Sequence, residues 1–114
     1  MSKFISVVKF KVMTGKEDDF INSMKNFHLP DGLIYRKLIK TGECSYCSII
    51  EWANEEVLEN ARPQMIAFLD TIRNILIEFS QDLGITEPAS GPVVIDQSGL
   101  VAEPGKTITG KLEV

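Results

Sequence analysis

Residues 4–12, FISVVKFKV, alternate with period two. Phe4, Val8, Phe10 and Val12 fall on one face of a strand, and Ile5, Val7, Lys9 and Lys11 on the other. The polar TGKE that follows sets Thr14 and Glu17 at the spacing of a capping box. Phe20, Ile21, Met24 and Phe27 then recur at helical spacing, which predicts an amphipathic helix of about 13 residues closing near HLPDG. After Gly32, LIYRKLIK and CSYCSIIEW read as two strands of an antiparallel hairpin joined by the turn TGE. Asn54 is placed to cap a helix, with Glu55 and Glu56 favourable to its dipole. Pro63 ends that short helix and opens a longer one to Leu83, whose stripe includes Met65, Phe68, Leu69, Ile72, Ile75, Leu76 and Phe79. Gly84 is its expected C-cap, and GPVVID (91–96) the expected fourth strand.

The order β-α-β-β-α-β predicts an α+β, ferredoxin-like domain over residues 1–97, with both helices on one face of a four-stranded antiparallel sheet. The other face should then be polar, yet Ile5, Val7, Ile49 and the run Val93, Val94, Ile95 place apolar residues on both sides. One chain has too few elements to cover both. The expectation is a homodimer, sheet against sheet. Residues 98–114 form a tail whose strand-like KTITGKLEV is placed to pack on the dimer.

A chain of 114 residues suits one domain. The net charge of −4, with scattered lysines and arginines, excludes a nucleic-acid binder that needs a basic stripe. No apolar run approaches the roughly 20 residues of a membrane span, and lysines interrupt the N-terminal apolar stretch. A cytoplasmic protein is expected. Cys44 and Cys47 form a C-x-x-C, but on a strand residues three apart point to opposite faces. With one histidine and no second cysteine pair, neither a redox couple nor a metal site is expected. Glycine-rich nucleotide motifs are absent.

Three stretches resemble the dimeric α/β-barrel superfamily, and within it the antibiotic-biosynthesis-monooxygenase-like group: VVKFKVMTGKEDDF, PDGLIYRKLI…CSIIEWANEE with its Glu-Trp strand end, and IAFLDTI. The resemblance spans roughly residues 4–95. It implies a pocket between sheet and helices and, by its first class of members, oxygenation of a small aromatic or quinol without any cofactor. A phenol would lose its proton and the phenolate would pass an electron to O₂. Trp52 matches the group's strand-end tryptophan; Trp52, Tyr35 and Tyr46 are the substrate-binding candidates. His28, the only histidine, is the catalytic candidate for proton transfer. Arg36 and Glu51 read as a cross-strand pair. The helices after the third strand lack the His and second Trp of haem-degrading members, which excludes that activity. The alternative is a non-catalytic dimer, which either binds a small ligand or fills the space with its own Phe and Ile side chains.

Overall fold

The computed structural model describes residues 3–97, so the expected tail strand lies outside the described residues. Strand β1 (Phe4–Lys11) leads into helix α1 (Glu17–Asn26). Strands β2 (Leu33–Gly42) and β3 (Ser45–Trp52) form the hairpin, helix α2 (Glu55–Ile72) follows, and β4 (Thr86–Pro92) completes the sheet. Every pairing is antiparallel, in the order β2-β3-β1-β4. The expected ferredoxin-like architecture is therefore present. Among the described residues no helix is long and apolar enough to cross a membrane.

The β1–β3 register sets Phe4 opposite Trp52, Ser6 opposite Ile50, Val8 opposite Ser48 and Phe10 opposite Tyr46. Side chains alternate across a strand, so these pairs share the face that meets the helices. Their packing divides into two clusters. One gathers Phe10, Val12, Phe20, Met24, Tyr46, Ile72, Ile75 and Leu76; the other gathers Phe4, Ile50, Trp52, Leu58 and Ala61. Aromatic rings thus hold both ends of this face, and the small residues Ser6, Val8 and Ser48 lie between. Helix α2 spans the gap, with Leu58 and Ala61 in one cluster and Ile72 in the other.

Several local expectations yield to these tertiary demands. Pro63 does not break the chain into two helices; α2 runs straight through it. Both Pro63 and Glu59 are exposed, so the Glu59 carbonyl that loses its amide partner is left to water. Asn54 caps as expected, its side chain accepting from the Val57 amide at 3.0 Å. The helix ends at Ile72 rather than Leu83. A 3₁₀ turn (Arg73–Ile75) delivers Leu76 to an isolated bridge with Val12, while Ile77 N donates to Lys11 O at 2.8 Å. Ile72, Ile75 and Leu76 are buried as their spacing suggested, although only Ile72 is helical. Gly84 shapes a turn bridging Ser80, not a helix cap. The fourth strand is TEPASGP, not GPVVID; its prolines are tolerated because β4 is an edge strand. The hairpin turns at Glu43 and Cys44, with Cys44 at φ 56°, instead of at TGE. Arg36 pairs with Ile50 on the helix-facing side, whereas Glu51 lies on the outer side, so the two do not meet.

The capping box is replaced as well. Lys16 occupies the N-cap with no side-chain bond, and the Glu17 carboxylate turns to the sheet. It accepts from the Tyr46 hydroxyl at 2.6 Å and from Lys40 Nζ at 3.0 Å. These bonds, Tyr46 first, hold its pKa below the usual 4.5. A depressed carboxylate pKa adds stability above the unfolded-state value and loses it as pH falls through the folded-state value. Glu17→Gln should therefore flatten the loss of stability on acidification below pH 4.5. Tyr46→Phe should raise the Glu17 pKa seen in an NMR titration, and an unmoved pKa would remove Tyr46 as its main cause.

Gly32 (φ +83°) gives a second test, because a Cβ there would come 2.5 Å from Val57 Cγ1, while Gly15 (φ +84°) faces open space. Gly15→Ala should lose about 1–2 kcal/mol from the left-handed backbone alone. Gly32→Ala should lose more, and Val57→Ala should couple to it in a double-mutant cycle followed by urea unfolding. Equal losses at both glycines would contradict the Val57 contact.

Candidate functional site

A cavity of 230 Å³ lies between the two core clusters. Val8, Ser48 and Ile50 line it from the sheet, and Met65, Ile66, Phe68 and Leu69 from α2. Thr86 and Pro88 border it from β4, while Phe10, Met24 and Phe27 close the end toward α1. It exists because the sheet presents small side chains where the rigid helix bridges from one aromatic end to the other. A further hollow of 250 Å³ continues along the same seam past Met65 and Pro88 to Ser6 and Ser90. The Phe and Ile side chains border this space without filling it. A larger groove of 460 Å³ between α1 and α2 is lined mainly by Asp19, Asn22, Ser23, Asn26 and Thr71, but it is polar and open to water. Small-molecule pockets are enclosed and mostly apolar with a few placed polar groups, so the inner cavity is the candidate site.

Its polar centre is Arg36. On strand β2 this residue shares the helix-facing side with Leu38 and is half-buried. Nη2 donates to the Met24 carbonyl at 2.6 Å. Met24 belongs to the last turn of α1, where carbonyls lack helical partners and the dipole is negative, so a cation is well placed there. The guanidinium carbon sits 5.9 Å from the centroid of Phe27, which itself stacks on Phe68 at 4.3 Å. Nη1 is buried and has no partner, and among the described residues it is the only buried side-chain nitrogen or oxygen in that condition. Burial lowers the pKa of the guanidinium, which nonetheless stays charged at neutral pH. Arg62, exposed and tied through Nε to Glu59 at 2.9 Å, supplies a second cation to the lining. Among the described residues neither a carboxylate nor a histidine lines the cavity. A positive charge beside a mostly apolar lining stabilises negative charge on a bound oxygen better than it would in water.

The residues singled out from sequence lie elsewhere. Trp52 has 0% exposure, packs with Phe4, Ile50, Leu58 and Ala61, and donates from Nε1 to Ser6 Oγ at 3.0 Å. It seals the corner between sheet and helix. Tyr46 is buried in the opposite cluster against Phe20, and its bond to Glu17 raises the hydroxyl pKa above its ordinary value of 10.0. Tyr35 points to the outer side of the sheet, where the Lys37 ammonium lies 5.5 Å from its ring centroid. His28 is exposed in the loop after α1, with its carbonyl accepting from Gln64 Nε2 at 2.9 Å. The sheet and the two clusters keep these four residues apart, and none of them lines the cavity. The signals that do point there are modest: a basic residue, Arg36, beside Leu38 on the helix-facing side of LIYRKLIK, and a serine between Tyr46 and Ile50.

No family model and no curated protein sequence matches the chain. Solved structures do. A candidate antibiotic biosynthesis monooxygenase of Nitrosomonas europaea superposes with a TM-score of 0.67 at 11% identity, over 82% of this chain and 91% of that one. SnoaB, a cofactor-independent oxygenase of Streptomyces nogalater, superposes as a single-residue variant with a TM-score of 0.62 at 15% identity, over 85% and 98%. A dimeric ferredoxin-like protein from an uncultured marine organism gives 0.64 at 14% identity, over 90% and 95%. The chain thus has the ferredoxin-like fold of the antibiotic-biosynthesis-monooxygenase-like proteins, the group its sequence resembles.

Proposed function

We propose that the protein is a cofactor-independent monooxygenase acting on a small aromatic or quinol held in the cavity between sheet and helices. The observation that carries this reading is Arg36, which lines an apolar cavity and whose buried Nη1 has no hydrogen-bond partner among the described residues. A phenol oxygen placed there is favoured as its anion, because an opposite charge nearby lowers a pKa and the surrounding apolar wall strengthens the effect. The phenolate is the electron-rich form that transfers an electron to O₂. With no carboxylate or histidine among the described lining residues to accept it, the proton leaves to water, and the protein's contribution is the electrostatic bias plus the alignment of the ring against Phe27 and Phe68. The shared fold with a cofactor-independent oxygenase supports the same reading. Oxygen uptake with a panel of substituted hydroquinones should exceed the buffer rate, and Arg36→Met should lower kcat/KM by about tenfold or more, the worth of a hydrogen bond to a charged group. Uptake equal to buffer across the panel would sink the oxygenase reading.

The same reading takes the outer face of the sheet as a homodimer interface. Val7 and Ile49 are paired neighbours on the central strands, with Ala89 beside Val7, Lys37 beside Ile49, and Ile5 and Ile39 on the same face. Ile39 is 45% exposed, and no element among the described residues covers this face. Strong exposed apolar patches mark interaction surfaces, and a second copy of the same face is self-complementary about a two-fold axis. A structural neighbour described as dimeric supports it. Light scattering should give twice the chain mass, with Ile49→Glu shifting it to one; a wild-type monomer would overturn the interface.

A further inference from the structure

We infer that the cavity is an anion site for one-ring aromatics, and that it selects its ligand by a negatively charged oxygen, carboxylate or phenolate, more than by the ring. The inference rests on the cavity proposed above as the functional site, and it names the ligand class.

Charge is the first argument. The chain as a whole carries −4, yet among the described residues the only charged ones lining the cavity are Arg36 and Arg62. The adjoining hollow adds Ser6 and Ser90 and again no carboxylate. Among the described residues, an acidic protein has thus lined this space with two arginines and no carboxylate, and only Arg36 of the two is half-buried and without a carboxylate partner.

Satisfaction of hydrogen bonds is the second. A buried polar group without a partner is expensive, and a charged one more so. Arg36 resolves half of this within the chain. Nη2 is spent on Met24, and Phe27 faces the guanidinium. The N–H groups of Nη1 are left for something the described residues do not provide. A neutral acceptor would satisfy the hydrogen bond but leave the charge uncompensated, whereas an anionic oxygen satisfies both. The unpartnered N–H groups of Nη1 can bond a single oxygen, which suits a phenolate or one oxygen of a carboxylate equally.

Size is the third. At 230 Å³ the cavity falls below the roughly 300–1,000 Å³ of pockets that hold drug-sized ligands. One aromatic ring with a small substituent fits between Phe27 and Phe68 on one side and Val8 and Ile50 on the other. A fused three-ring polyphenol would have to extend into the adjoining 250 Å³ hollow.

The test is calorimetric titration of the full chain with benzoate, 4-nitrophenol and benzamide, with a fused three-ring polyphenol as the size control. Benzoate should bind, and benzamide, of the same shape but neutral, should bind about 10- to 100-fold more weakly, the range of a charged hydrogen bond. Bound 4-nitrophenol should show phenolate absorption at a pH below its solution pKa, where the free ligand is mostly neutral. Arg36→Met should abolish the preference of benzoate over benzamide, while Arg36→Lys, which keeps the charge, should retain part of it. A thermal melt of each variant separates lost selectivity from lost folding, since Arg36 also ties β2 to α1 through Met24. Equal binding of benzoate and benzamide, or a preference that survives in a folded Arg36→Met, overturns the inference. So does binding of the three-ring control in place of the single rings. Anion-selective binding without oxygen uptake would sink the oxygenase reading and leave this one standing. Oxygen uptake with charge-blind binding would do the reverse.

Discussion

The helix-facing side of the sheet is aromatic at both ends and small in the middle, and the rest of the molecule follows from that constraint. Phe4 with Trp52 holds one end and Phe10 with Tyr46 the other, because the antiparallel register pairs them directly. An 18-residue helix is a rigid rod of roughly 27 Å. Resting on both ends, α2 cannot sink onto Ser6, Val8 and Ser48 between them. The space beneath its middle turns is therefore the consequence of a bridge, not of loose packing. Trp52 is one abutment of that bridge: fully buried, hydrogen-bonded to Ser6, and set beside Leu58 and Ala61.

Into this gap the edge strand β2 sends a guanidinium. Its position is stabilised from one side only, by the Met24 carbonyl at the negative end of α1 and by the face of Phe27. Arg36 also lines the apolar space, and its Nη1 is buried without a hydrogen-bond partner among the described residues. Buried polar groups in native proteins are nearly always paired, so an exception at a cavity wall points to a missing partner. The Glu17–Tyr46–Lys40 group at the other end of the sheet makes a useful contrast. There each member has found the other, the carboxylate pKa falls and the phenol pKa rises, and a stable clamp results rather than a site.

Much of the fold was legible because its signals are local. The alternation in β1, the helical spacing of Phe20 and Met24, and Asn54 at the α2 cap all depend on neighbours in sequence. The misread parts depend on partners far away. Nothing in TEPASGP resembles a strand; it becomes one because β1 offers an unpaired edge, and an edge tolerates Pro88 and Pro92. Ile75 and Leu76 keep helical spacing yet leave the helix, since Lys11, Val12 and Met13 draw that segment into backbone pairing. The candidate site was harder still. Trp52 and the tyrosines stand out as residue types, but the strand register puts Tyr35 on the outer face and locks Trp52 and Tyr46 into separate clusters. What makes the cavity is smallness, at Val8 and Ser48, and smallness is inconspicuous in a sequence. Arg36 looked like a surface partner for Glu51 until the register placed the two on opposite faces.

The central claim is that Arg36 Nη1 is the polar anchor of the cavity. A crystal structure of the protein soaked with benzoate tests it most directly. The account predicts one ligand under the middle turns of α2, its ring against Phe27 and Phe68. One carboxylate oxygen should lie about 2.7–2.9 Å from Nη1, the usual distance of a charge-assisted contact. A ligand found only in the open groove between α1 and α2, or Nη1 satisfied by another group of the chain with the cavity empty, would contradict it.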